Sequence, residues 1–135
     1  MSSAIPVSEF ATDTMALVLR LEQRRLGSKA KALFEAMETG TTIIHVPSLV
    51  FAEILYLSEK RRIALTLHSV EAYLARFSNC RELPLSLNVI QTAAEIGDIP
   101  ELHDRLIAAT ARSSSVELIT NDPVIQTSAF VQTVW

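Results

Sequence analysis

The sequence IPELHDRLIAAT, residues 99–110, is typical of the beginning of a buried helix. Pro100 opens it, charged residues occupy the following positions, and an apolar run begins at Leu106. Proline is tolerated in the first turn of a helix, and a carboxylate is electrostatically favoured there. The pattern therefore predicts a helix from Glu101 to about Ser113, with Asp104 in its first turn.

Short apolar segments alternate with helical patterns along the rest of the chain. The strongest strand signals are residues 7–12, 42–46 and 116–120, and weaker ones are 82–85 and 130–134. Helices are predicted between them, among them one capped by Ser28, one over residues 48–62, and one capped by Ser86. This alternation predicts a single α/β domain over residues 1–135, with a mostly parallel central sheet.

Two acidic residues follow predicted strands. Asp13 lies where the first strand passes into a helix, and Asp122 precedes Pro123 in a turn. Each has an ordinary structural explanation as a helix cap, and Asp104 has one as a partner of the helix dipole. Open α/β sheets nevertheless bind ligands at the carboxyl ends of their strands, where Asp13 and Asp122 are expected.

Glu53 is harder to explain as a structural residue. It interrupts the apolar run LVFAEILYL, so the helix that contains it is apolar on nearly every side. Such a helix is either buried or buried on one side and paired with a partner on the other. No cationic residue lies one helical turn away, and an unpaired carboxylate is costly to bury. Glu53 is therefore expected to have a buried partner or a metal ion.

Carboxylates that cluster repel one another, so a cluster persists only around shared positive charge. Oxygen ligands of this kind suit Mg²⁺ (or Mn²⁺) rather than zinc or copper. In a two-metal site, one ion lowers the pKa of a bound water and the other stabilises the leaving oxygen of a phosphate ester. The hypothesis is that the fold gathers four acids around metal: Asp13, Glu53, Asp104 and Asp122.

The composition limits the class of protein and its partners. Hydrophobic residues make up 49% and charged residues 20% of the 135 residues, which excludes global disorder. No membrane-spanning run and no secretory signal is recognised, and the single cysteine, Cys80, suits a reducing cytoplasm. The net charge of −3 is unusual for a nucleic-acid-binding protein, although bound divalent cations would offset it.

Four motifs together resemble the PIN-domain family, in particular its small VapC-type toxin-like nucleases. They are TDTMAL at residues 12–17, PSLVFAE at 47–53, HDRLIAATA at 103–111 and LITND at 118–122. Each motif is unspecific alone, but their order and domain-sized spacing are specific. The resemblance implies a three-layer Rossmann-like PIN domain whose mostly parallel central sheet has four to five strands.

The resemblance also implies an activity. It implies a Mg²⁺- or Mn²⁺-dependent ribonuclease that cleaves single-stranded (or loop) RNA and leaves 5′-phosphate and 3′-hydroxyl ends. The family's metal-site acids carry over to the four acids above, while Thr120 would support the last Asp and Thr14 the first. Met15 departs from the family, which often has Asn, Ser or His at this position.

Partners follow from the same resemblance. Many family members pair with a small antitoxin, and homodimers are common, which agrees with the apolar helix that begins at Ser48. The alternative is a catalytically silent PIN-like module that acts only by binding, as a scaffold. The four acids argue against it, because a silent module need not keep a repulsive cluster.

Overall fold

Five parallel strands form the centre of the protein in the computed structural model, which describes residues 7–135. The sheet has the order β3-β2-β1-β4-β5. The strands are β1 (Ser8–Thr12), β2 (Thr42–Pro47), β3 (Cys80–Leu83), β4 (Glu117–Ile119) and β5 (Thr133–Val134). The predicted α/β class is confirmed, and every pairing in the sheet is parallel.

Helices connect the strands and cover the sheet, as parallel pairing requires. They are α1 (Thr14–Leu21), α2 (Ser28–Glu38), α3 (Ser48–Glu59), α4 (Leu67–Arg76), α5 (Leu87–Glu95), α6 (Leu102–Ser113) and α7 (Pro123–Gln126). Among residues 7–135, none of these helices is long and apolar enough to cross a membrane.

The order of the strands reverses beside β1. The chain adds β2 and β3 on one side of β1, and then β4 and β5 on the other. The carboxyl ends of β1 and β4 therefore flank a topological switch point, which is the usual ligand-binding crevice of an open parallel sheet. Asp13 follows β1 directly, and Asp122 lies three residues beyond β4.

Several predicted boundaries were wrong, each for a local reason. β3 begins two residues before the predicted segment 82–85, because buried Cys80 pairs with Ile44 while Arg81 and Glu82 are exposed and hide the strand pattern. α3 ends before the predicted basic end of the helix, since Arg61 adopts a left-handed conformation with φ 55°.

The predicted cap of α2 was also wrong. Ser28 is the first helical residue and Gly27 is the N-cap, with no side-chain hydrogen bond. A Cβ atom at residue 27 would lie 2.5 Å from Cδ1 of Trp135, so only glycine fits there. The distant C-terminal contact therefore decides how α2 begins.

The core forms where the helices pack against the sheet. Phe34 and Met37 of α2 are buried, as is Leu17 of α1. In α6 the small residues Ala108 and Ala111 are fully buried, which lets this helix approach its neighbours closely. The predicted burial of the apolar run that begins at Leu106 is therefore confirmed, since residues 107–111 of α6 are buried.

The apolar helix α3 is buried on one side only. Val50 and Ile54 face the core, whereas Ala52, Leu55 and Tyr56 are exposed. These three positions lie on one face of a helix, because residues three and four apart are neighbours. Of the two predicted arrangements, α3 has the one with an outward apolar face.

Candidate active site

A cavity of about 460 Å³ opens at the carboxyl edge of the sheet, next to the switch point. All four acids singled out from the sequence line this one cavity, although they lie up to 109 positions apart. The lining residues are Asp13, Thr14, Met15, Glu53, Leu57, Asp104, Ile107, Asn121, Asp122 and Pro123.

Asp13 is held at both of its carboxylate oxygens. Oδ1 accepts a hydrogen bond of 2.8 Å from the backbone N–H of Ala16, which makes Asp13 the N-cap of α1. Oδ2 accepts a hydrogen bond of 2.5 Å from the hydroxyl of Thr120. Burial raises the pKa of Asp13 to about 6, and repulsion from Asp122 and Asp104 acts in the same direction. The capping explanation is thus correct, but it does not exclude a place in the cavity.

Thr120 joins the two strand-end acids. Its hydroxyl donates to Asp13 and accepts a hydrogen bond of 3.1 Å from the backbone N–H of Asp122. The sequence led us to expect support of Asp122 by Thr120. The structure adds the bond to Asp13, across 107 positions of the chain.

Thr14 contacts a different acid from the one expected. Its hydroxyl donates a hydrogen bond of 2.5 Å to Oε1 of Glu53, rather than supporting Asp13. Thr14 is the first residue of α1 and is buried, and its hydroxyl reaches across to α3, the helix that carries Glu53. The half-buried Glu53 therefore has the partner that its position required, and that partner is a hydroxyl group rather than a cation.

Asp104 lies in the first turn of α6, as predicted. Its backbone N–H donates a hydrogen bond of 2.7 Å to Oε2 of Glu101, the N-cap of this helix. The pKa of Asp104 is raised to about 6, mainly by burial and to a smaller extent by repulsion from Glu101, Asp122 and Glu53. No described residue donates a hydrogen bond to its carboxylate, so both oxygens are available to a ligand.

Asp122 caps the short helix α7, with Pro123 at the first helical position as predicted. Its Oδ1 accepts a hydrogen bond of 2.9 Å from the backbone N–H of Val124. The second oxygen accepts none from the described residues. Asp122 therefore combines a capping role with a free oxygen at the cavity.

The donor set suits a hydrated magnesium or manganese ion. Within residues 7–135, no three His, Cys, Asp or Glu side chains are grouped closely enough to hold one ion between them. Mg²⁺ usually binds through one or two carboxylates, keeps several waters and shares substrate phosphates. Oxygen donors around an open cavity fit such an ion, and they do not fit a closed structural zinc site.

The sequence argument from acids missed the apolar part of the cavity. Met15, Leu57, Ile107 and Pro123 supply it, and Asn121 adds an amide. Met15 is the exception, because the resemblance already marked it as a departure from the polar residues that the family often has at this position. Leu57 could also have been found, because it lies one helical turn after Glu53.

Comparison with known proteins identifies the fold independently. The sequence profile described as "PIN domain" matches residues 11–130. No curated protein sequence matches the chain.

Solved structures match nearly the whole chain at low identity. VapBC2 from Rickettsia felis, bound to a DNA fragment from its promoter, gives a TM-score of 0.72 at 18% identity, covering 94% of this chain and 98% of that one. DNA-bound VapBC from Salmonella typhimurium gives a TM-score of 0.69 at 16% identity, covering 94% of this chain and 97% of that one. VapC20 from Mycobacterium tuberculosis, described as a sarcin-ricin loop cleaving toxin, gives a TM-score of 0.64 at 18% identity, covering 91% of this chain and 97% of that one.

Proposed function

We propose that the chain, which belongs to the PIN domain family, is a metal-dependent endoribonuclease and the toxin of a type II toxin–antitoxin pair. The observation that carries the proposal is the convergence of Asp13, Glu53, Asp104 and Asp122 on one cavity at the switch point. Four separate elements supply these acids, and simple helix capping does not require them to meet.

The residues of the cavity divide into ligands and supports. Asp13, Asp104 and Asp122 would hold Mg²⁺ (or Mn²⁺), and Glu53 would complete the shell or position the attacking water. Thr120 and Thr14 act through these acids by fixing the carboxylates of Asp13 and Glu53. When bound, the cations would supply an activated water and charge stabilisation for two-metal-type phosphodiester hydrolysis.

Burial makes the acids dependent on positive charge. The pKa values of Asp13 and Asp104 are both raised to about 6, because burial and mutual repulsion disfavour the charged forms. A cation that enters the cavity relieves this repulsion and competes with protons for the same oxygens. Metal binding is therefore expected to strengthen as the pH rises through 6.

RNA is the substrate class to test first. VapC20, whose fold this chain shares, is described as cleaving the sarcin-ricin loop. A carboxylate site for hard cations also suits a phosphodiester, because such ions bind carboxylates together with substrate phosphates. The proposed substrate is single-stranded or loop RNA, cut by hydrolysis.

An antitoxin is the proposed protein partner, because the VapBC structures above contain toxin–antitoxin pairs. A groove of about 1480 Å³ between the α1–α2 connection and α4 offers a place for it. Both acids of the groove already have hydrogen-bond partners within the chain. Glu38 accepts from Arg20 and Tyr73, and Glu22 accepts from Arg24 and from backbone N–H groups. Because Arg20 and Arg24 are paired with these acids, the positive charge that the groove presents to an acidic segment comes from the remaining cations: Arg25, Lys31 and Arg76.

A homodimer is the proposed assembly, formed through the outward face of α3. Leu55 is 43% and Tyr56 is 51% exposed, and both lie next to the exposed Ala52 on the surface of the helix. Sedimentation at micromolar concentration should show a dimer, and Tyr56→Glu should convert it to a monomer. A wild-type monomer would remove this part of the proposal and leave the nuclease unaffected.

The decisive experiment measures cleavage of a labelled single-stranded RNA pool with Mn²⁺, Mg²⁺ or EDTA. Wild type should cut only with metal, and Asp104→Asn should abolish cutting while remaining folded. Glu71→Gln, an exposed acid on α4 away from the cavity, is the matched control and should cut normally. Metal-dependent cleavage that persists in Asp104→Asn would contradict the assigned site.

A silent binding module is the second candidate function. The observation in its favour is that, among the described residues, no three potential ligands are grouped around one point. The same assay separates the two functions when Mn²⁺ binding is measured by calorimetry. A folded wild-type chain that neither cuts RNA nor binds Mn²⁺ would favour the module.

A further inference from the structure

The lining of the cavity is of two chemical kinds. Carboxylates form one part, and the apolar side chains of Met15, Leu57, Ile107 and Pro123 form another. A phosphodiester needs only the first kind. The second kind provides contacts for something flat and weakly polar that is attached to the phosphate.

Met15 is the most unusual of the apolar residues. It is 39% exposed, whereas its neighbours Thr14, Ala16 and Leu17 in α1 are buried. Met15 therefore contributes little to the core, yet it places a large, polarisable side chain at the cavity. A single exposed apolar residue is ordinary on a protein surface, but Met15 shares its cavity with Leu57, Ile107 and Pro123, so it is part of an apolar lining rather than an isolated surface residue.

The first turn of α1 provides three different functions in succession. Asp13 caps the helix and lines the cavity, Thr14 fixes Glu53, and Met15 extends into the lining without a hydrogen-bonding role. A base attached to a phosphate at the acids is within reach of Met15, because Met15 and the four acids line the same cavity. Thioether groups make favourable contacts with aromatic rings, and single-stranded RNA presents its unstacked bases to such contacts.

We propose that Met15 is a specificity-determining residue that contacts the nucleobase next to the scissile phosphate, an inference that rests on the proposed nuclease function. The cavity of about 460 Å³ is of the size that holds a small ligand group, so one nucleotide rather than a paired helix enters it. RNA is favoured over a protein partner as the group that covers Met15, because this residue shares its cavity with all four acids.

The test compares Met15→Asn and Met15→Leu with wild type. The positions of the cuts are mapped on a random single-stranded RNA pool with Mn²⁺. Affinities for four homopolymeric RNA hexamers are measured by fluorescence anisotropy in an Asp104→Asn background, which prevents cleavage. Val7→Asn is the matched control, because Val7 is 48% exposed but lies before β1, at the opposite edge of the sheet.

Met15→Asn should redistribute the cuts and weaken binding of the best hexamer about three- to tenfold, in keeping with a sulfur–aromatic contact. Met15→Leu keeps the apolar bulk but loses the sulfur, so it should weaken binding less than Met15→Asn does, whereas the Val7→Asn control should match wild type. The Mn²⁺ affinity and thermal unfolding of the Met15 and Val7 variants should equal those of wild type. This result would establish Met15 as a base contact.

Two outcomes would overturn the inference. If Met15→Asn cuts RNA with unchanged positions and binds the hexamers equally well, Met15 has no part in base recognition, and the nuclease function stands. If only the affinity for an antitoxin changes, Met15 belongs to a protein interface. Failure of the nuclease proposal itself is distinguished by the absence of cleavage in wild type.

Discussion

The two halves of the acidic cavity are built differently. In the strand-end half, Asp13 and Asp122 are fixed by helix caps and joined through Thr120. In the helical half, Glu53 has one hydroxyl partner, and the carboxylate of Asp104 accepts no hydrogen bond from the described residues. The difference indicates a rigid half that sets the place of the site and a freer half, with fewer hydrogen bonds, that would adjust when the proposed cation and substrate bind.

The comparison also shows how structural and functional roles coincide. Capping α1 and α7 places Asp13 and Asp122 at the carboxyl edge of the sheet with fixed orientations. Orientation by neighbouring hydrogen bonds is what a metal ligand requires. The ordinary role of these residues therefore prepares the proposed one instead of competing with it.

The largest expected effect concerns the rigid half and the stability of the metal-free protein. The folded-state pKa of Asp13 is raised from 3.8 to about 6, so the folded protein binds more protons than the unfolded chain between those values. Stability should therefore fall as the pH rises from about 4 to 6 and level off above, by up to about 3 kcal/mol from this residue. Thermal unfolding at a series of pH values checks the slope.

Asp13→Asn removes that titration and should raise the unfolding temperature at pH 7 while weakening Mn²⁺ binding. Glu71→Gln serves as the control and should leave the slope unchanged. A variant that is simply less stable at pH 7, with no change in metal affinity, would mean that Asp13 acts only as a cap.

The next effect tests the link within the rigid half. Thr120→Val keeps the shape of the side chain but removes the donor to Asp13 and the acceptor for Asp122. We expect a loss of about 1–3 kcal/mol in the free energy of unfolding, because buried polar groups lose their partner. RNA cleavage should fall about 10- to 100-fold. Urea unfolding and initial cleavage rates measure the two effects, and Thr120→Ser should restore both.

A smaller effect is expected in the freer half. Thr14→Val removes the only hydrogen bond that a described residue donates to Glu53, and cleavage should fall about tenfold. The loss of stability should be smaller than that of Thr120→Val, because Glu53 is only half-buried whereas Asp13 is buried. Thr110→Val is the matched control, since this buried hydroxyl bonds only to the carbonyl of Leu106 within α6. If Thr14→Val and Thr120→Val destabilise the protein equally, the two halves do not differ in rigidity.

The smallest effect concerns the electrostatics of Asp104. Glu101→Gln retains an acceptor for the N-terminus of α6 but removes a charge that raises the pKa of Asp104. The pKa of Asp104 should fall, so Mn²⁺ binding should persist to a lower pH, by less than about one unit because Glu101 is exposed. Calorimetric Mn²⁺ titrations at several pH values measure the change. An unchanged pH dependence would show that Glu101 does not contribute to the raised pKa of Asp104.

Much of the fold follows from local sequence. The alternation of apolar segments and helical patterns predicts the α/β class, and the cap before Pro123 is where the sequence places it. Boundaries were less predictable, because the strand that begins at Cys80 and the cap at Gly27 depend on contacts with Ile44 and Trp135. Those contacts come from distant parts of the chain.

The sequence by itself determined which acids to examine and that Glu53 needed a partner, since helix propensity, capping and burial cost act within a few residues. Only the tertiary structure decided the pairing of the hydroxyl groups, Thr14 with Glu53 and Thr120 with Asp13. It alone also exposed Met15 at the cavity and turned one apolar face of α3 outward. The physical reason is that side chains far apart in sequence meet where the strand order reverses, and local preferences carry no information about those meetings.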